Sequence, residues 1–348
     1  FYTGVPDSIL KNLISKFKKN HISVNNEGTA ISLATGYYLA TSKLPCIYLQ
    51  NSGLGNAINP LISINNKKVY SIPFILIIGW RGSPKSKDEP QHQSKGKITR
   101  EILKLMGIRY CILRSKRDLK NFEKLIEYSK KKSTGIACLI EKSNIKSKTI
   151  FKQTSKINNY KILRYDFLTQ LVKHIKIKTN IISSTGFISR ELDNILKKQS
   201  YSKIKPFYMV GGMGHTASVT LGVSLKSNKD NISIDGDGSL LMHTGSLGLV
   251  KNFGGKKFKY ILLRNDSHES VGDQSTNSNH INFKLLSKSF GFRSYLLINK
   301  KLHLKRKLKR FIKMPGPVFL EVRIKSGSIE SLGRPKNLKK IKKKFMLG

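Results

Sequence analysis

Short β-rich runs that alternate with helical patterns restrict the fold of this chain more than any other feature. Each run is apolar and leads into a polar loop or turn. One series lies in the first half of the chain, with LPCIYLQ, SIPFILIIGW and GIACLIEK. A second series begins near residue 180, with NIISSTG, NISIDG, KYILLRND and GPVFLEVRI. Strands that alternate with helices form parallel sheets covered by helices, so we predict an α/β fold with two doubly wound parallel-sheet domains.

The domain boundaries follow from where this alternation stops and restarts. The chain has 348 residues, a length that suits two domains of about 150 residues each. A polar, lysine-rich segment at 144–160 has no apolar period and predicts a linker. We therefore place a first domain at 1–145, the linker and the start of the next domain at 146–175, and a second domain with a basic C-terminal tail at 176–348. The clearest helical patterns are 6–20, 26–41 and 187–198.

The chain is strongly basic, with 65 Lys and Arg against 20 Asp and Glu and a net charge of +45. A basic nucleic-acid-binding protein is therefore the alternative from another functional class. Lysine is spread along the whole chain, however, which indicates a compositional bias rather than a focused patch. The densest runs, 299–311 and 335–345, are interpreted as solvated helix faces or a tail. A field of this sign also attracts small polyanions.

Composition argues against a membrane-spanning protein, a structural zinc site and a disulfide framework. No apolar run approaches the roughly 18 residues that a membrane span needs. The three cysteines, Cys46, Cys111 and Cys138, show no CxxC spacing, so neither a structural zinc site nor a disulfide framework is predicted. Reduced cysteines fit the cytoplasm, and we expect a cytoplasmic protein without a membrane partner.

A Gly-Asp-Gly turn lies at the predicted end of the strand 231–235. Gly236 and Gly238 flank Asp237 and let a ligand approach the backbone, and the following helix offers N–H groups to a phosphate. Asn265 follows 28 residues later, a spacing that allows one helix and one return strand. Asp237, Asn265 and the carbonyl of Ser267 are oxygen ligands of the kind that Mg²⁺ prefers. An ordinary turn is the alternative for the Gly-Asp-Gly sequence taken alone.

GDGS followed by a late Asn resembles the metal–diphosphate motif of the thiamine diphosphate (ThDP) enzymes. This chain has Arg264-Asn265 where that family commonly has Asn-Asn, so only the second Asn is carried over. The resemblance implies ThDP and Mg²⁺ as cofactors, with a pyrimidine-binding first domain and a diphosphate-binding second domain. The implied cofactor contacts in the second domain are Gly212, Met213, Gly214, His215, Gly236, Asp237, Gly238, Ser239 and Asn265.

The resemblance also assigns roles to Glu27 and Met213. ThDP enzymes need a glutamate that hydrogen-bonds the aminopyrimidine ring and promotes removal of the thiazolium C2 proton, and Glu27 in NNEGTA stands at the corresponding strand-to-helix junction. A helix N-terminal glutamate stabilised by the helix dipole is the alternative. Met213, between two glycines, matches the apolar residue that bends the cofactor, whereas a core methionine is the alternative.

Longer strings narrow the resemblance to the phosphonopyruvate decarboxylase family, with the sulfopyruvate decarboxylases as close relatives and alternative. They include FYTGVPDSIL, YLQNSGLGNAINPL, IGWRGSPKSKDEPQH and NDSHESVGDQST, and the similarity runs nearly end to end. Because sulfopyruvate decarboxylases typically split the two domains between subunits, a fused chain favours the phosphonate enzyme of phosphonate biosynthesis.

The implied substrate is a small anionic 2-oxo acid, whose charged groups need cations and N–H donors. Candidate substrate contacts are Arg81, Lys87, Asn51 and Ser52. His92 and His268 are candidate catalytic residues, each with a structural hydrogen-bonding role as the alternative. The resemblance further implies a homo-oligomer with active sites at the subunit interface. A catalytically silent relative of these enzymes is a third hypothesis, which the retention of Glu27 and Asp237 argues against.

Overall fold

The computed structural model describes residues 1–17, 19–84, 86–141, 159–176, 178–198 and 204–347. The chain divides into two compact units. The first unit comprises Phe1–Thr154 with Val271–Gln274, and the second comprises Ser155–Ser270 with Ser275–Gly348. The division falls inside the segment 144–160, most of which lies outside the described residues.

The first unit contains a six-stranded sheet in the order β2-β1-β3-β4-β6-β5, and every pair of neighbours is parallel. Helices cover both faces, with apolar clusters on each side of the sheet. The strands are β1 Tyr2–Gly4, β2 His21–Ser23, β3 Cys46–Gln50, β4 Ile75–Trp80, β5 Arg109–Leu113 and β6 Ile136–Glu141. The helices are α1 Lys11–Ile14, α2 Glu27–Thr41, α3 Leu54–Ser63, α4 Pro90–Leu105 and α5 Arg117–Lys132.

The second unit contains a second parallel sheet in the order β12-β13-β11-β10-β8-β9, with β7 paired to the end of β13. Its strands are β7 Ile162–Leu163, β8 Asn180–Ser183, β9 Phe207–Tyr208, β10 Asn231–Gly236, β11 Phe258–Arg264, β12 Ser294–Ile298 and β13 Val318–Lys325. Its helices are α6 Arg164–His174, α7 Phe187–Lys198, α8 Thr216–Ser224, α9 Asp237–Met242, α10 Val250–Phe253, α11 Phe283–Ser289, α12 Leu304–Lys313 and α13 Leu338–Leu347. The prediction of two parallel-sheet α/β domains is confirmed.

One predicted helix is much shorter than expected. The pattern at 6–20 predicts a helix over its whole length, whereas α1 contains only four residues. The carboxylate of Asp7 accepts hydrogen bonds from the N–H groups of Ile9 and Leu10, which holds this stretch in a turn. Leu10 and Ile14 are nevertheless fully buried, so the apolar spacing reflects packing against the sheet rather than a long helix.

The two basic runs form helices of different kinds. In α12 the apolar residues Leu304, Leu308 and Phe311 are buried in the core of the second unit. In α13 no residue is fully buried. Among the described residues, no helix is both long enough and apolar enough to cross a membrane.

Candidate active site

Glu27 is the first residue of α2 and is enclosed by protein, with only 5% of its surface exposed. Asn56 donates to Glu27 Oε2 at 2.7 Å. A Cβ at Gly53 would lie 2.0 Å from Glu27 Oε1, so only glycine leaves room for this carboxyl. The helix begins here because the side chain of Asn26 caps it, accepting from the N–H of Thr29 at 3.2 Å.

Burial raises the pKa of the Glu27 carboxyl, and the hydrogen bond from Asn56 opposes that rise only in part. A carboxyl of this kind holds its proton closer to neutral pH than a solvated one does. This is the property required of a group that hydrogen-bonds an aminopyrimidine ring. A glutamate present only to stabilise the helix dipole would not need to be buried.

A second buried carboxyl, Asp7, follows β1 and is not identified by the sequence analysis. Gln50 Nε2 donates to Asp7 Oδ1 at 2.6 Å, and the N–H groups of Ile9 and Leu10 lie 3.1 and 3.3 Å from Oδ2. Ser52 Oγ donates in turn to Gln50 Oε1 at 2.8 Å. Burial raises the pKa of Asp7 despite these donors. The signal in the sequence is an acidic residue three positions after a short strand, in a chain with only 20 acidic residues.

Arg81 follows β4 and is held by two residues. Asn51 accepts from the Arg81 N–H at 3.0 Å and donates to the Arg81 carbonyl and to Thr99 Oγ1, both at 2.9 Å. The guanidinium forms a fork with Asp88, with Nε 2.6 Å from Oδ2 and Nη2 2.5 Å from Oδ1. Burial by itself would raise the pKa of Asp88, but the hydrogen bond and charge of Arg81 hold that pKa below its ordinary value.

The 3-10 helix at Asn51–Gly53, directly after β3, contacts all of these groups. Its three residues face, in order, Arg81, the Gln50–Asp7 pair and Glu27. The carboxyl ends of parallel strands are where open α/β sheets bind ligands. Glu27 and three of the four predicted substrate contacts therefore lie at one edge of this sheet.

The remaining predicted residues of this unit, Lys87 and His92, lie farther along the same segment. Lys87 is exposed on the loop before α4. His92 is partly buried in the first turn of α4. Its carbonyl lies so close to Gly82 that a Cβ there would be 1.9 Å away, and Gly82 has a φ of +67°. Glycine is required at that position for both reasons.

In the second unit, Asp237 is the first residue of α9 and only 2% of its surface is exposed. Gly236 is the N-cap of this helix, so the Gly-Asp-Gly turn forms the first turn of α9. Thr276 Oγ1 and Ser278 Oγ both donate to Asp237 Oδ2, at 2.7 and 2.6 Å. Burial raises the pKa of Asp237, and the nearby carboxylate of Asp266 adds to the rise.

Asn265 directly follows β11, beside β10 and the turn that carries Asp237. Asn265 Oδ1 accepts from the N–H of Ser267 at 3.2 Å, and Asn265 Nδ2 donates to Glu269 Oε2 at 3.1 Å. Ser267 pairs with Ser275 through an isolated antiparallel bridge. The structure therefore brings the three predicted metal ligands to one sheet edge. Thr276 and Ser278, which hold Asp237, are not identified by the sequence analysis.

The glycine-rich loop before α8 lies against α9. The N–H of Gly214 donates to Ser239 Oγ at 2.9 Å. Met213 is partly buried in this loop, and the exposed ring of His215 stacks on His243 with centroids 4.5 Å apart. Left-handed backbone conformations occur at Gly211, Gly212 and Gly214, with φ of +80°, +59° and +88°.

His268 is buried behind the Gly-Asp-Gly turn. A Cβ on Gly238 would lie 2.7 Å from His268 Cε1, so this glycine lets the imidazole pack against α9. Burial lowers the pKa of His268 to about 4. The imidazole is therefore neutral at pH 7 and has one N–H donor.

The donor set at this edge fits a hard cation. Asp237 and Asn265 provide carboxylate and amide oxygens, and Ser267 adds a backbone carbonyl, all of which suit Mg²⁺. Within the part of the chain that the structure describes, no cluster of three or more His, Cys, Asp or Glu residues forms a site of another kind. These three oxygens do not complete the octahedral coordination of Mg²⁺, which phosphate or water oxygens would complete.

Comparison with known proteins identifies the family of this chain. The model of the N-terminal TPP binding domain of thiamine pyrophosphate enzymes matches residues 1–103, and that of the C-terminal TPP binding domain matches residues 185–322. The chain belongs to the thiamine pyrophosphate enzyme family. It is 30% identical over 352 residues to a phosphonopyruvate decarboxylase of Streptomyces hygroscopicus, covering 96% of this chain and 86% of the relative. The protein is a ThDP-dependent 2-oxo acid decarboxylase.

The fusion of two domains does not separate the two substrate classes, contrary to the sequence-based argument. A sulfopyruvate decarboxylase of Methanosarcina acetivorans is 27% identical over 364 residues, covering 98% of this chain and 92% of that relative. The beta subunit of a Methanocaldococcus jannaschii sulfopyruvate decarboxylase matches only 37% of this chain. Proteins named sulfopyruvate decarboxylase therefore include both a fused two-domain chain and separate subunits.

Substitution of Gly53 by Ala tests the enclosure of Glu27. The added methyl group would lie 2.0 Å from the carboxyl, so Glu27 must move. We expect kcat to fall by about tenfold or more, equivalent to about 1.4 kcal/mol, in a decarboxylation assay of the ThDP-loaded enzyme. Gly55→Ala is the matched control, because a Cβ at Gly55 meets nothing within 4 Å. Equal activity of the two variants would contradict the enclosure.

Proposed function

We propose that this decarboxylase converts 3-phosphonopyruvate to phosphonoacetaldehyde and CO₂, with ThDP and Mg²⁺ as cofactors. The observation that carries the proposal is a pair of acidic sites at strand ends: buried Glu27 in the first unit, and Asp237 with Asn265 in the second. The first is suited to a heteroaromatic ring nitrogen, and the second to a metal–diphosphate. The full-length likeness to a protein named phosphonopyruvate decarboxylase supports the choice of substrate.

ThDP, when bound, supplies the electron sink for cleavage of the bond to the carboxyl group. Burial raises the pKa of Glu27 and so favours the protonated form, which would hydrogen-bond the aminopyrimidine nitrogen. Asn56 fixes that carboxyl from the other side. Met213 and its flanking glycines lie in the loop that we assign to shaping the cofactor. Asp237, Asn265 and the carbonyl of Ser267 would hold Mg²⁺, and the first N–H groups of α9 would be donors for the diphosphate.

Proton delivery to the product carbon needs a second group that carries a proton near neutral pH. We assign this role to Asp7, because burial raises its pKa although Gln50, two backbone N–H groups and the charge of Arg81 oppose the rise. Ser52 and Gln50 link this carboxyl to the 3-10 helix. His92 and His268 remain our other candidates for proton transfer, and His268 is neutral at pH 7.

Recognition of the substrate anion is assigned to Arg81, Lys87, Asn51 and Ser52. The guanidinium of Arg81 already pairs with Asp88, and both ends of the Asn51 amide are bonded within the unit. We therefore assign both residues to holding the loop that carries Lys87, and Arg81 also adds positive potential. Lys87 is assigned to direct contact with the carboxylate or phosphonate. The hydroxyl of Ser52 would donate to the same anion by exchanging its hydrogen bond to Gln50 for one to the substrate.

Sulfopyruvate is the second candidate substrate, because a fused sulfopyruvate decarboxylase covers 98% of this chain. We also propose a homo-oligomer with active sites at the subunit interface, as the family resemblance implies. The alpha and beta subunits named among the relatives support assembly in this family.

The substrate assignment is tested by product analysis. Purified enzyme is incubated with phosphonopyruvate or sulfopyruvate, each with and without ThDP and Mg²⁺. We expect phosphonoacetaldehyde and CO₂ with a kcat/KM at least tenfold above that for sulfopyruvate, and dependence on both cofactors. A preference for sulfopyruvate would overturn the substrate, and turnover without added or bound metal would overturn the Mg²⁺ assignment.

Glu27→Gln should reduce decarboxylation by at least about 100-fold, the upper range for loss of one acid–base group being about 10⁴-fold. The amide keeps the shape of the side chain but has no exchangeable carboxyl proton. Cofactor affinity, measured by isothermal titration with ThDP and Mg²⁺, should change little. Glu101→Gln on the exposed face of α4 is the control. Full turnover in Glu27→Gln would remove this residue from the mechanism.

Asp237→Ala should abolish the Mg²⁺-dependent part of ThDP binding, because the carboxylate ligand is lost. Titration of fluorescence quenching by ThDP at increasing Mg²⁺ measures this directly. Asp166→Ala, which removes an exposed partner of Lys301, is expected to bind normally. Unchanged binding by Asp237→Ala would show that the metal lies elsewhere.

A further inference from the structure

Arg164, the first residue of α6, forms a buried ion pair that the proposed reaction does not use. Only 4% of Arg164 and 1% of Glu191 are exposed. Arg164 Nε and Nη2 each donate to a different oxygen of Glu191, both at 3.1 Å. A buried ion pair gains little net stability, because removing both charges from water offsets their attraction. The groups that contact this ion pair therefore indicate a role other than net stability.

The third guanidinium nitrogen of Arg164 holds Glu269. Arg164 Nη1 donates to Glu269 Oε2 at 2.8 Å. The N–H of Gly327 donates to the other oxygen, Oε1. Glu269 is thus fixed at both oxygens by groups that lie outside its own loop.

The oxygen of Glu269 that contacts Arg164 also accepts from Asn265 Nδ2, at 3.1 Å. An ionised carboxylate has no proton to donate, so only the NH₂ end of the amide can face it. The opposite end, Oδ1, must then face away, on the side of the Ser267 N–H. A cation binds an amide only through oxygen, so this orientation is the productive one for a metal ligand.

We propose that Glu269 is a positioning residue that orients the Asn265 amide for metal binding, with Arg164 and Glu191 as its anchor. This proposal rests on the proposed function, in which Asn265 is a ligand of Mg²⁺. Partners that orient metal ligands commonly change metal affinity by 10- to 100-fold when removed. The sequence NDSHES therefore contains both a ligand and, four residues later, the group that orients it.

The alternative is that Glu269 only neutralises Arg164 and stabilises the fold. Two variants separate these roles. Glu191→Gln weakens the anchor while leaving the contact between Glu269 and Asn265, whereas Glu269→Gln removes the acceptor-only character at that contact. If orientation matters, metal affinity falls much more in Glu269→Gln than in Glu191→Gln. If only stability matters, metal affinity falls in proportion to the melting temperature in both.

Mn²⁺ binding to the ThDP-loaded enzyme, followed by the electron paramagnetic resonance signal of free Mn²⁺, reads the site without turnover. We expect Glu269→Gln to raise the Kd for Mn²⁺ by about tenfold or more. Glu191→Gln should raise it less than about threefold, and Glu330→Gln, at an exposed glutamate, should leave it unchanged. Equal losses in Glu269→Gln and Glu191→Gln would overturn the proposal.

A double-mutant cycle with Asn265→Asp gives a second test. An aspartate at position 265 has an oxygen in place of the amide nitrogen, so either end of its carboxylate can bind a cation. Its negative charge is also repelled by the carboxylate of Glu269. Glu269→Gln should therefore tighten Mn²⁺ binding in the Asn265→Asp background, opposite to its effect in the natural sequence. The same loss in both backgrounds would overturn the proposal.

Glu269→Asp covers the case in which Glu269→Gln does not fold. It keeps the charge beside Arg164 but withdraws the carboxylate by one methylene from Asn265, so we expect weaker Mn²⁺ binding with an unchanged melting temperature. Unchanged binding would overturn the proposal. Asp237→Ala distinguishes failure of the proposed metal site from failure of the proposed orienting role of Glu269. If it leaves Mn²⁺ binding intact, the proposed metal site itself is wrong. If it abolishes binding while Glu269→Gln does not weaken it, only the orienting role is wrong.

Discussion

Both candidate sites contain buried carboxyl groups that hydrogen-bond neutral donors instead of cations. Asp7, Glu27 and Asp237 are each at most 5% exposed, in a chain with 65 basic residues. Their side-chain partners are amides and hydroxyls, which stabilise the charge less than a guanidinium would. Burial therefore dominates and raises all three pKa values. The carboxylate of Asp88 shows the contrast, because its pKa is held low by Arg81.

The acids of the two candidate sites differ from Asp88 in the groups that pair with them. Arg81 holds the pKa of Asp88 low, whereas burial raises the pKa of Glu191 although Arg164 pairs with it. Glu27 and Asp237 are left with an unfavourable environment for negative charge, which a bound ligand relieves. In the proposed function, a dication would do so at Asp237, and its binding would displace any proton that burial retains. At Glu27 a hydrogen bond that keeps the proton would do so. Burial is therefore compatible with both proposed roles, which are metal binding at Asp237 and retention of a proton at Glu27.

The sequence predicts the architecture well, because hydrophobic periodicity and strand–turn–helix order are local. The helix at 187–198 is found at the predicted bounds, and the strand predicted at 231–235 extends one residue further, to Gly236. Local patterns cannot show which polar side chains turn inward, however. Asp7 was hidden in an apparent helix start, and Thr276 and Ser278 reach Asp237 only because the chain folds back across the sheet edge. Arg81 reads as a free cation until its partner Asp88, seven residues away, is seen to hold it.

The two candidate substrates differ in charge more than in shape, and this bears on how the site can separate them. A sulfonate stays a monoanion at all relevant pH values, whereas a phosphonate loses a second proton near neutrality, as phosphate esters do. In the proposed site, Ser52 is neutral and Arg81 is already paired with Asp88, so neither would offer much compensation for that second charge. Lys87, exposed in solvent on the same loop, is then the group that must supply it. Selection for phosphonate over sulfonate should therefore rest on the position of this loop more than on the shape of the pocket.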